Sequence, residues 1–177
     1  MDLHLPDSNA TESLGKALAR SLPGALRGGA AAGSAAAGGG AVLHLRGELG
    51  AGKTTCVRAL LRASGVLGLV RSPTYTLVET YDLPGLSFVH VDLYRLQSLG
   101  EVDELGLREL TGPGVLLLVE WPDKGGAALP PADVDLTLRY ADEARRASLE
   151  SRSSVGTLWI ENLGRDTSLS SYVSNLT

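Results

Sequence analysis

The sequence predicts an α/β fold with a mostly parallel central sheet and antiparallel strands late in the chain. Three observations carry that expectation. The short apolar run 41–45 enters a glycine loop, and a helical pattern follows it. The run 114–119 is Gly-Val-Leu-Leu-Leu-Val, continuously apolar as in a strand buried on both faces. A chain of 177 residues, 44% of them hydrophobic, suits one domain with one sizeable core. We assign that domain to residues 1–162.

The elements follow in order. Asn9 with Glu12 three residues on reads as an N-cap pair, and Leu14, Leu18 and Leu22 repeat at helical spacing. Pro23-Gly24 ends that helix. Between 24 and 41, fifteen of eighteen residues are Gly or Ala, which gives little side chain to bury; this reads as a flexible insertion. After strand 41–45 and the loop comes a helix with Val57, Leu60 and Leu61, stopped by Gly65. Segments 76–81 and 86–91 read as strands, 101–110 as a helix and 122–131 as a loop. Runs 134–138, 147–149 and 158–160 read as the late strands. The Ser-rich segment 163–177 reads as a disordered tail.

Charge excludes some functions. Sixteen basic residues stand against twenty acidic, net −4, which argues against a protein that grips nucleic acid by neutralising phosphates. The lone Cys56 rules out an internal disulfide. The first residues lack the basic start and apolar run of a secretory signal, and no stretch is apolar enough to span a membrane. The reading is a soluble, cytoplasmic protein.

Gly47-x-x-x-x-Gly52-Lys53-Thr54 matches the P-loop pattern in full, and its setting between strand and helix is the one that motif requires. Glycines let successive N–H groups turn toward phosphate oxygens, and the helix adds its positive end. Lys53 would reach the β- and γ-phosphates, and the Thr54 hydroxyl would hold Mg²⁺. Thr55 would lie near the α-phosphate. Such a loop needs a carboxylate at a neighbouring strand end. Asp92 and Glu120 both close apolar runs. His90, two residues before Asp92, faces the same side by strand alternation and is either a site group or a hydrogen-bonded structural histidine. Trp121 is either core or a docking residue. No Asn-Lys-x-Asp guanine reader occurs, so ATP is the expected nucleotide.

Four motifs occur in order: Gly-Glu-Leu-Gly-Ala-Gly-Lys-Thr-Thr (47–55), Ser-Pro-Thr-Tyr-Thr-Leu-Val-Glu (72–79), His-Val-Asp-Leu-Tyr-Arg (90–95) and Val-Glu-Trp-Pro (119–122). Together they resemble the TsaE family, the small P-loop ATPases of bacterial tRNA threonylcarbamoyladenosine synthesis, over about residues 8–160. The resemblance implies a three-layer P-loop NTPase fold and ATP and Mg²⁺ as cofactors. It implies TsaD and TsaB as partners, with tRNA met only through that complex. It also implies that hydrolysis resets the complex between turnovers. By motif position, Gly50, Ala51, Gly52, Lys53, Thr54 and Thr55 would cradle phosphate. Asp92 would serve hydrolysis together with Lys53, and Glu120 would help Thr54 hold Mg²⁺. Thr11 would lie near the adenine and Thr74 beside the γ-phosphate. A family arginine matches either Arg145 or Arg146. The competing reading is a small-molecule kinase on the same fold.

Overall fold

The computed structural model describes residues 1–27, 39–73 and 75–174. Thr74, most of the Gly/Ala-rich stretch and the last three residues lie outside them. One seven-stranded sheet organises the chain. Its strands are β1 (Asp2–Leu5), β2 (Ala41–Arg46), β3 (Val78–Leu83), β4 (Leu86–Asp92), β5 (Val115–Glu120), β6 (Val134–Ala141) and β7 (Ala144–Ser151). The order across the sheet is β1-β7-β6-β2-β5-β4-β3. β6-β2-β5-β4 are parallel, while β3, β7 and β1 run antiparallel to their neighbours.

Helices cover both faces, giving three layers. On one face α1 (Ser8–Arg20), α3 (Lys53–Ser64) and α5 (Ser154–Gly164) share the larger core with Leu43, Leu45, Leu116 and Leu118. On the other, Val42, Leu117 and Val119 pack with Val102 and Leu107, around α4 (Leu99–Glu104). The uninterrupted apolar run of β5 is thus divided, alternate residues serving opposite faces. Among the described residues, no helix is long and apolar enough to cross a membrane.

The structure moves several elements. The N-cap of α1 is Asp7, which has an extended backbone and whose carboxylate accepts the Ala10 N–H at 2.8 Å; Asn9 lies inside the helix. The helix expected over 101–110 is only Leu99–Glu104, because Gly106 turns to φ +59°. β3 starts at Val78 because Leu77 stands at φ +64°, outside strand geometry. The late strand expected at 158–160 is helical. Ser153 caps α5, and Val155, Trp159 and Leu163 form an i, i+4, i+8 stripe whose last two members are buried. The expectation of a mobile tail does not fit residues 163–174. Leu163 and Leu169 are core, Asp166 pairs with Arg20, and Val173 bridges Leu3 of β1. At the insertion's near end, Gly24–Arg27 form a short helix, α2, with Leu26 in the core.

Candidate phosphate-binding site

The loop between β2 and α3 is held by its glycines. Gly47 has φ +135°, and a Cβ there would sit 2.1 Å from the Leu138 carbonyl oxygen. Gly52, the N-cap of α3, has φ +106°, with Thr11 Cγ2 3.1 Å from where its Cβ would be. No side chain caps α3, so its first N–H groups and positive dipole end face the loop. Gly50 also takes positive φ. Ala51 is buried and bonds its N–H to the Glu48 carbonyl, so that donor is used within the loop.

Lys53 is nearly buried. Its ammonium donates to the carbonyls of Gly47 and Glu48, both at 2.8 Å, and lies 3.9 Å from the centre of the Trp121 ring. Burial pushes its pKa down, opposed by the charges of Glu120 and Asp92. Trp121 itself has φ +61°, and its ring packs at 5.0 Å against Tyr94.

The two carboxylates meet because β4 and β5 are parallel neighbours in register. Asp92 pairs with Glu120, each at its strand's C-terminal end. The Thr54 hydroxyl donates to Glu120 Oε2 at 2.9 Å, and His90 Nε2 lies 2.9 Å from Glu120 Oε1. Asp92 accepts from the Ser72 hydroxyl at 3.3 Å and the Tyr94 N–H at 3.0 Å. Its own N–H donates to the Leu77 carbonyl, so Ser72 and Leu77 both lie against it. A cavity of about 330 Å³ gathers Lys53, Thr54, Ser72, Asp92 and Glu120.

A second hollow of about 70 Å³ adjoins Gly50 and Gly52 and is lined by Thr11, Thr55 and Arg145. Of the two candidate arginines, Arg145 lines this hollow. Arg145 shares the α1 face of β7, its guanidinium 5.3 Å from the Tyr140 ring, whereas Arg146 is exposed and sits opposite His4 of β1. Tyr140 in turn donates its hydroxyl to Leu49 of the loop. Sequence reasoning left out Tyr140 and the lysine-facing role of Trp121, and read Tyr94 as either surface packing or a partner contact. Tyr94 and Trp121 stand inside two of the motifs, whereas no local pattern marks Tyr140. Thr74 lies outside the described residues.

Among the described residues, no group of three or more His, Cys, Asp or Glu gathers to hold a metal ion. What the site offers a cation is one hydroxyl beside one carboxylate, with Asp92 close by. That set suits Mg²⁺, which keeps several waters and shares phosphate oxygens, better than a metal needing an all-protein cage.

A glycine loop between a parallel strand and a helix, with acids at two adjacent strand ends, defines a P-loop α/β protein. Comparison with known proteins refines the class. The family model "Threonylcarbamoyl adenosine biosynthesis protein TsaE" matches residues 5–148, and the chain belongs to this family, which is involved in tRNA threonylcarbamoyladenosine biosynthesis. The chain is 42% identical over 115 residues to the tRNA threonylcarbamoyladenosine biosynthesis protein TsaE of Haemophilus influenzae, covering 65% of this chain and 73% of that one. Its Synechocystis counterpart is 37% identical over 128 residues, 70% and 71% of the two chains. The crystal structure of Bacillus subtilis YdiB aligns with TM-score 0.68 over 93% of this chain and 94% of that one; at 23% identity it speaks for the fold alone.

Proposed function

We propose that this protein is an ATPase subunit of the threonylcarbamoyladenosine machinery, hydrolysing ATP to support turnover of a TsaB–TsaD transferase complex in the cytoplasm. The observation that carries the reading is the convergence of Lys53, Thr54, Asp92 and Glu120 on one cavity at the loop. Family membership supplies the pathway.

The residues support distinct tasks. Lys53 already bonds two carbonyls of the loop, so a phosphate oxygen replaces one acceptor with another and strips no hydration from a bare ammonium. Thr54 and Glu120 would hold Mg²⁺, which would supply charge neutralisation on the β- and γ-oxygens. Asp92, beside the Ser72 hydroxyl, would orient a water and accept its proton. Thr11, Thr55 and Arg145 would receive the nucleoside side. TsaD and TsaB are the proposed partners, with tRNA reached through them.

Multi-turnover modification of tRNA by TsaB and TsaD, with and without this protein, tests the proposal. ATP-dependent stimulation that is lost in Asp92→Asn is the expected result. No stimulation overturns the partner assignment. Phosphate transfer to a metabolite, instead of release, would favour a kinase.

A further inference from the structure

We infer that His90 is a positioning residue that sets the orientation of the Glu120 carboxylate for metal binding; the inference rests on the metal-nucleotide reading above. His90 is fully buried in β4. Its Nε2 lies 2.9 Å from Glu120 Oε1, while Glu120 Oε2 accepts from Thr54 at 2.9 Å. The two donors hold the two oxygens separately. The terminal torsion of a glutamate is broad and roughly two-fold, so a carboxylate held at only one oxygen can swing. Held at both, its plane is fixed, and Oε2 stays at the Thr54 hydroxyl where the cation would sit.

Packing alone does not account for a histidine here. The neighbouring inward positions on the same sheet face are Phe88, Leu116 and Leu118. An apolar residue at 90 would continue that pattern with no polar atom to bury. Instead, His90 Nδ1 is buried with no hydrogen-bond partner among the described residues. That burial is unfavourable, and the bond to Glu120 is the ring's one hydrogen bond. The same geometry assigns the tautomer. A proton on Nδ1 would be a buried donor without an acceptor, whereas a proton on Nε2 meets a carboxylate oxygen. Neutral His90 therefore carries its proton on Nε2 and donates to Glu120. Carboxylates that ligate metals are commonly oriented by such outer hydrogen bonds.

The test compares His90→Leu, which removes the donor, with His90→Gln, whose amide N–H can replace it. Mn²⁺ binding to the ADP-bound protein is followed by electron paramagnetic resonance, and fluorescent-ADP affinity is measured in EDTA. Thermal unfolding monitors folding. In the Leu variant, the Mn²⁺ dissociation constant should rise roughly 10- to 100-fold, the range typical of lost outer-sphere partners. ADP affinity without metal should stay within about twofold, since Lys53 and the loop are untouched, and the Gln variant should recover most of the loss. Unshifted Mn²⁺ binding in the Leu variant overturns the inference. So does an equal loss of metal-free ADP affinity, or a Gln variant no better than Leu. If the unaltered protein with ADP binds no Mn²⁺, the metal-nucleotide reading fails first and this inference with it.

Discussion

Glu120 and Asp135 are nearly buried carboxylates on β5 and β6, the two strands that flank β2, yet their neighbours differ in kind. Asp135 accepts from Arg46 Nε and Arg152 Nε, both at 2.9 Å, on the sheet face away from α1 and α3. Burial alone would raise its pKa, but the hydrogen bonds from Arg152 and Arg46 outweigh it and hold the carboxyl below its usual range. Among the described residues, the Glu120 carboxylate meets a hydroxyl and an imidazole. Among the described residues, no Lys or Arg lies within ion-pair distance of it. One carboxylate is neutralised by the fold. The other has no such arginine pairing among the described residues and stands at the mouth of the loop, within reach of a bound cation. A carboxylate's partners, more than its burial, separate a structural acid from a functional one.

The largest test of that contrast lies next to Glu120. Asp92→Asn should retain nucleotide binding and slow phosphate release between about 100- and 10,000-fold, the range for loss of a general base; colourimetric phosphate assay with partners present reads it. Lys53→Ala should weaken nucleotide affinity roughly 100-fold, about 3 kcal/mol for a charge-assisted contact, as followed by calorimetry. Glu120→Gln should raise the Mg²⁺ needed for half-saturation about tenfold or more, with folding stability changed by under about 1 kcal/mol. Were Glu120→Gln instead to unfold the protein while leaving metal dependence intact, the contrast would collapse.

The smallest effect belongs to the other carboxylate. Asp135→Asn should cost about 1 kcal/mol in denaturant unfolding and leave nucleotide binding unchanged. The arginines are partly exposed, so solvent screening reduces the value of their pairs. Because the folded-state pKa of Asp135 is depressed, its stabilisation is present above the unfolded value near 3.8 and is lost as pH falls through the lower folded value. Urea midpoints below about pH 4 should therefore fall less steeply in the Asn variant.

The phosphate loop was legible in the sequence because its chemistry is local: each glycine and Lys53 answers to a neighbour within a few positions. So were β2, β4 and β5, whose apolar runs stand alone. The acids at 92 and 120 could be named as strand ends. Their meeting depends on β4 and β5 being adjacent and in register, which no local pattern states. Asp7 lost to Asn9 as the expected cap because two capping residues lie close together and only backbone geometry separates them. The α5 stripe was hidden by Gly156 and by the apolar run 158–160, which reads as a strand. The tail reads as polar, yet its few apolar residues find sites on α1 and β1. Which of Arg145 and Arg146 lies near Thr11 depends on the side of β7 each takes, which local sequence does not state.

Cys56 lies two residues beyond Thr54, under 2% exposed, with its thiol pushed up to about 12, chiefly by burial and then by the charge of Glu120. A thiol so rarely ionised and so well covered reacts with alkylating agents only when its helix opens. Labelling speed at this one sulfur therefore serves as a stopwatch for lifting of the loop's helix from the sheet. Any ligand that binds only the closed form should lengthen the interval by a factor of one plus the ratio of free ligand concentration to Kd.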